Sequence, residues 1–97
     1  MAPRQGLGER MQYVVESSAL ATEVDECVVV LNVDNGSYFN MRDVSAEIWR
    51  KLTEPCTLDT LCSHLATIYA APDAQIRADT ERFVAELEHR KLIKRIG

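Results

Sequence analysis

His64 and His89, together with Cys27, Cys56 and Cys62, are the residues of this 97-residue chain best suited to acid–base, nucleophilic or metal chemistry. Their spacing supports little of it. Cys56-x5-Cys62 followed by His64 lacks the CxxC-like pairs and the four ligands of a structural zinc site. Three cysteines are an odd number, and the start Met1-Ala2-Pro3-Arg4-Gln5-Gly6 has no apolar export core. The thiols therefore read as small buried or half-buried groups rather than a disulfide framework. His64 lies between Ser63 and Leu65 in a helical pattern, and His89 lies in the charged run Glu88-His89-Arg90-Lys91, so both read as helix-surface residues. No GxSxG or HExxH is present, and the 4 glycines, two of them at Gly6 and Gly8, build no phosphate-cradling loop. The chain is expected not to be an enzyme and to need neither metal nor cofactor.

Charge narrows the partners. The formal net charge is -4 and the pI is near 5.1, which disfavours a protein whose main ligand is a phosphate backbone. The second helical segment, Leu58 to Tyr69, carries Asp59 and no Lys or Arg to reach base edges. Arg90-Lys91 and Lys94-Arg95 read as a complement to a helix C-terminus. The longest apolar run, Cys27 to Leu31, is strand-sized and far short of the ~18–20 residues that span a bilayer. The expected location is the cytoplasm.

The elements follow from periodicity. Residues 1–12 hold Pro3, Gly6 and Gly8 with little apolar pattern and read as a flexible lead-in; 13–97 read as one domain. From Tyr13 to Met41 the pattern is β. Leu20, Thr22 and Val24 alternate, Glu26 to Val33 is β-branched, and Asp34-Asn35-Gly36 is a strong hairpin signal before the short strand Ser37-Tyr38-Phe39-Asn40-Met41. Then the period changes to helical. Asp43 precedes Val44, Ile48, Trp49 and Leu52; Thr57 precedes Leu58, Leu61, Leu65, Ile68 and Tyr69; Pro72 precedes Ile76, Thr80, Phe83, Val84 and Leu87. Leu92, Ile93 and Ile96 close the chain against the sheet. The expectation is an α+β domain, winged helix-turn-helix-like, with a three-stranded antiparallel sheet followed by three helices.

With chemistry set aside, the last strand of the meander stands out. It is an edge, and neither Lys nor Pro blunts it. An edge beside the third helix suits an extended peptide that adds a strand. The candidate contacts are Ser37, Tyr38, Phe39, Asn40 and Met41 on the strand and, on the helix, Val84 flanked by Arg77 and Glu81, while Ile76, Thr80, Phe83 and Leu87 are expected to point to the core. Phe39 and Met41 are expected to face the core, leaving Tyr38 partly exposed. Val84 sits at the edge of the apolar stripe, where it lines a groove or widens the core. The same open edge admits pairing of two copies as a homodimer.

These residues also carry a family resemblance. Gly36 to Met41, leading into Ala46, Ile48, Trp49 and Leu52, resembles the strand-to-helix signature of PqqD-like proteins; Asp79, Phe83 and Leu87 with Leu92-Ile93 resemble their last helix and closing segment. The match runs over roughly residues 18 to 96. Such proteins are peptide-recognition elements of ribosomally made, modified peptides. The resemblance implies a winged-helix-like adaptor that takes the precursor's leader segment onto the third strand and third helix, with contacts at Ser37 to Met41 and at Arg77, Thr80 and Val84, and presents it to a separate leader peptidase or other modifying enzyme. Size and stand-alone form are most similar to the leader-binding protein of lasso peptide biosynthesis. A chaperone of pyrroloquinoline quinone biosynthesis and a small winged-helix DNA-binding regulator are the alternative readings. Arg42, Ser45 and Lys91 stand where the family more often has Asn, Gly and Gly, and Thr53-Glu54-Pro55-Cys56 replaces its Cys-Asp-Gly-like element.

Overall fold

A computed structural model describes residues 11–96. The elements, in chain order, are β1 (Gln12–Val15), β2 (Ala19–Val24), β3 (Cys27–Asn32), β4 (Tyr38–Arg42), α1 (Val44–Lys51), β5 (Cys56–Thr57), α2 (Leu58–Ala66), α3 (Asp73–His89) and β6 (Ile93–Ile96). The expected meander is present as the antiparallel sheet β2-β3-β4, and the three helices follow it. The lead-in expected over residues 1–12 lies almost wholly outside the described residues, although Gln12 already belongs to β1.

The chain also builds a second antiparallel sheet, β5-β1-β6, which periodicity did not announce. Here Gln12 faces Thr57 on one side and Ile96 on the other. β5 has two residues and β6 four, too few for an alternation to stand out. This sheet staples the chain ends to the helices: Val15 N–H donates to Leu52 O at 3.0 Å and Glu16 N–H to Leu92 O at 2.9 Å.

In β3, alternation puts Val28, Val30 and Asn32 inside and leaves Leu31 exposed. Val28 and Val30 meet Met41 of β4, then Ile48, Trp49 and Leu52 of α1, Leu61 and Leu65 of α2, and Ile76, Val84 and Leu87 of α3. Leu92 and Ile93 close the core from below α3. Thr57 caps α2 as its spacing requires, its hydroxyl accepting from Thr60 N–H at 3.1 Å. Pro72 is the N-cap of α3 rather than a first-turn residue, and its carbonyl accepts from Gln75 and Ile76. α2 stops at Ala66, three residues before Tyr69, with Thr67 as its C-cap and the Thr67 hydroxyl donating to His64 O at 2.6 Å.

Two non-glycine residues hold left-handed backbones at the ends of elements that frame β4. Asp43 (φ 55°, ψ -122°) makes the turn from β4 into α1. Lys91 (φ 61°) ends α3 in a Schellman arrangement, with Lys91 N–H on Glu88 O at 2.9 Å and Leu92 N–H on Leu87 O at 3.0 Å. Gly36 (φ 79°) supplies the positive φ of the β3–β4 turn.

Candidate functional site, an edge strand beside an apolar groove

Among the described residues, β4 is an outer strand of its sheet, paired with β3 alone. The register fixes which of its backbone groups are spent. Asn32 N–H donates to Ser37 O at 2.8 Å, so Asn32 and Ser37 form a hydrogen-bonded pair of the antiparallel ladder. Every second pair repeats it, namely Val30 with Phe39 and Val28 with Met41. The N–H and C=O groups of Tyr38, Asn40 and Arg42 therefore point away from the sheet.

Side chains elsewhere already use some of them. Ser45 Oγ accepts from Arg42 N–H at 3.0 Å and donates to Arg42 O at 2.7 Å. At the other end, Arg90 Nη1 lies 3.5 Å from Tyr38 O, its guanidinium 4.9 Å over the Phe39 ring and its Nε 2.6 Å from Glu86 Oε2. The rim that the sequence leaves unblunted is thus bounded at both ends by α1 and α3. Among the described residues, no hydrogen bond outside the β3–β4 ladder involves the backbone of Asn40.

The side chains of β4 alternate as expected. Met41 is fully buried, Phe39 is half-buried, and Tyr38 (63% exposed) and Asn40 face out. Phe39 meets Phe83 of α3 edge to face, ring centres 5.6 Å apart. From Phe83 an open groove of about 440 Å³ runs between α1, the end of α2 and the first half of α3. Val44, Ile48, Leu65, Tyr69, Ala71, Ile76 and Phe83 make it apolar, while Ser45, Gln75, Asp79 and Thr80 supply its polar atoms. Burial pushes the Tyr69 phenol up, and Glu47 and Asp43 add to the shift, so it stays a neutral donor.

The helix positions picked from sequence divide. Thr80 borders the groove but is itself 1% exposed, so its side chain faces the core, as its spacing predicts. Val84 is 3% exposed and belongs to the core. Arg77 is ion-paired with Asp59 of α2 and lies 3.6 Å from Glu81, lining a separate 330 Å³ cavity with Cys62 and Asp73. Gln75, Ile76, Asp79 and Phe83 of α3 line the groove beside Thr80, and Phe83, with Arg90 at the C-cap of the helix, meets Phe39 of β4. The sequence held one signal for this: Phe83 lies at helical spacing from both Asp79 and Arg90. Val44 carried another, an apolar residue at a helix start that remains partly exposed.

Burial raises the Cys56 and Cys62 thiols, which holds them protonated and poorly nucleophilic. Among the described residues no three His, Cys, Asp or Glu side chains are grouped as a metal site, and no helix is long and apolar enough to cross a membrane.

An antiparallel sheet, an edge strand and a grooved three-helix layer define a class of fold already seen in solved structures. One is TbiB1 in complex with the TbiA(beta) leader peptide: TM-score 0.79, 21% identity, 84% of this chain covered and 94% of that one. Another is lasso peptide synthetase B1 complexed with the leader peptide: TM-score 0.75, 17% identity, 84% and 96% covered. No curated protein matches. Residues 27–93, well over half of the chain, match the family described as Coenzyme PQQ synthesis protein D (PqqD), and the chain belongs to that family.

Proposed function

We propose that this protein is a non-catalytic adaptor that captures the leader segment of a ribosomally made precursor peptide and presents it to a separate leader peptidase or other modifying enzyme, most closely in the manner of lasso peptide biosynthesis. The carrying observation is that the outward backbone of Tyr38 and Asn40 belongs to the strand whose Phe39 meets Phe83, the residue at the end of the apolar groove. An extended segment pairs with the strand there and drops an apolar or aromatic side chain into the groove.

Magnitudes favour both parts acting together. Strand hydrogen bonds contribute about 0.5–1.5 kcal/mol each. Ordering a disordered segment costs about 2–5 kcal/mol. Micromolar affinity needs about −8 kcal/mol, so anchors contributing about 1.5–3 kcal/mol each must fill the groove. A volume near 440 Å³ admits one or two large side chains. Family membership and the likeness to two structures solved with leader peptides support the same reading.

The enzyme partner has a surface available. Leu20, Leu31 and Tyr38 stand in one row across the outer face of β2-β3-β4, all exposed, with exposed Val33 two residues after Leu31. Exposed apolar faces of this kind mark protein contacts. A role on newly made precursors sets the protein in the cytoplasm.

Titration of a labelled leader peptide, from the precursor encoded beside this chain, tests the reading by fluorescence anisotropy. A Kd of about 10 μM or tighter is expected on the affinity scale above. No binding at about 100 μM overturns it. A gel shift with duplex DNA is expected to be negative.

A further inference from the structure

Strand addition leaves open how the incoming chain finds its register, and the two ends of β4 answer it. Resting on the proposed function, we infer that Ser45 and Arg90 are register stops: they confine strand pairing to Tyr38 N–H and the two backbone groups of Asn40.

The Ser45 stop is complete. Its single hydroxyl satisfies both outward groups of Arg42, at 3.0 and 2.7 Å. The Asp43 turn, with φ at 55°, folds α1 back so that the hydroxyl reaches them. A peptide extending past Arg42 gains no donor or acceptor unless that hydroxyl is displaced. The Arg90 stop is electrostatic and steric. Its guanidinium stands before Tyr38 O, held by stacking on Phe39 and by Glu86. A peptide N–H approaching Tyr38 O meets a cation that is itself a stronger donor.

Between the stops, Asn40 C=O is the one outward β4 carbonyl that has no side-chain donor among the described residues. Because outward carbonyls recur every second residue, each one freed accepts one more peptide N–H, two residues further along. The stops also explain how this edge is protected without Lys or Pro of its own. Only a short segment is open, too little for long sheet-to-sheet pairing of two copies.

The test counts peptide N–H groups. A binder is selected from a random display library of peptides about a dozen residues long, matching an extended segment that adds a strand. It is resynthesised with a single N-methyl group at each position in turn. Against the full wild-type chain, one position is expected to lose roughly tenfold in affinity, as for one charge-free hydrogen bond left unmade. Ser45→Ala is expected to create a second sensitive position two residues to one side, and Arg90→Met one two residues to the other. Amide exchange at Arg42, read by NMR without peptide, is expected to quicken about tenfold or more in Ser45→Ala, the loss of a bond of this size. A cooperative thermal melt, with the unfolding equilibrium shifted by no more than about that same tenfold factor, serves as the folding check.

Two or more sensitive positions in the wild type, or identical patterns in all three proteins, overturn the inference and leave peptide capture standing. No sensitive position overturns strand pairing altogether. Failure to select any binder overturns the proposed function and the stops with it.

Discussion

Asn32 and Lys91, 59 residues apart, are joined by a 2.6 Å hydrogen bond from Asn32 Nδ2 to Lys91 O. The other side-chain atom, Oδ1, accepts from Asp34 N–H at 2.8 Å and Asn35 N–H at 3.3 Å. One buried amide therefore holds both the turn that launches β4 and the left-handed cap that ends α3. The two elements that flank the candidate site are set against each other by this contact.

Asn32→Ala removes three hydrogen bonds and strands the Lys91 carbonyl. A loss of about 2–3 kcal/mol is expected. Thermal melting should fall by roughly 8–24 °C, given about 4–8 °C per kcal/mol in a domain of this size. A shift of only a degree or two would sink the assignment of Asn32 as the joint.

Lys91 and Asp43 occupy backbone conformations that cost L-residues about 1–2 kcal/mol. Lys91→Gly is expected to gain about 1 kcal/mol after the added flexibility of the unfolded chain is counted. Asp43→Gly should gain similarly while leaving the Ser45–Arg42 contacts in place. Denaturant unfolding of both variants, with an unchanged slope, is the check.

Proline separates the two edges of β4. Asn40→Pro removes a donor that points away from β3, as proline on an edge strand tolerates. The fold should persist while peptide affinity falls about tenfold, roughly one to one and a half kcal/mol of lost pairing. Phe39→Pro removes a ladder donor to Val30 and should unfold the sheet. Equal stability of the two variants, read by circular dichroism melting, would contradict the register.

Val44→Asp places a carboxylate in the apolar groove at a helix start, where the negative charge suits the helix dipole. Stability should change by no more than ~0.5 kcal/mol, and peptide affinity should fall more than about tenfold, since an apolar anchor then meets a charge. Retained affinity would exclude the groove as the anchor site.

The Cys56 and Cys62 thiols have folded pKa values raised above the ordinary 9.0 by burial. In the unfolded chain they ionise first. Their contribution to stability is therefore full below pH 9.0 and is lost as pH rises through the raised values. Alkylation of both by iodoacetamide at pH 8 should be slow in the native protein and fast in urea. Rapid native labelling would contradict their burial.

The residues themselves determined a good part of this molecule. The β-branched run of β3, the Asp34-Asn35-Gly36 turn, the Thr57 cap and the helical spacing of Ile48, Trp49 and Leu52 each follow from local sterics and short-range hydrogen bonds. They also brought β4 forward as an edge, and the alternation of Phe39 and Met41 against Tyr38 and Asn40 followed from the pleat. The rest was decided by contacts between distant segments. β5 and β6 are strands only because β1 lies between them. Which stripe of α3 meets β4 depends on how the helix is rotated, and the Phe83–Phe39 and Arg77–Asp59 contacts fix that rotation in a way no 3.6-residue period encodes. The stops on β4 come from Ser45 on α1 and Arg90 beyond α3, the latter 52 positions from its Tyr38 acceptor. A backbone carbonyl looks open in a linear chain until packing brings a donor to it.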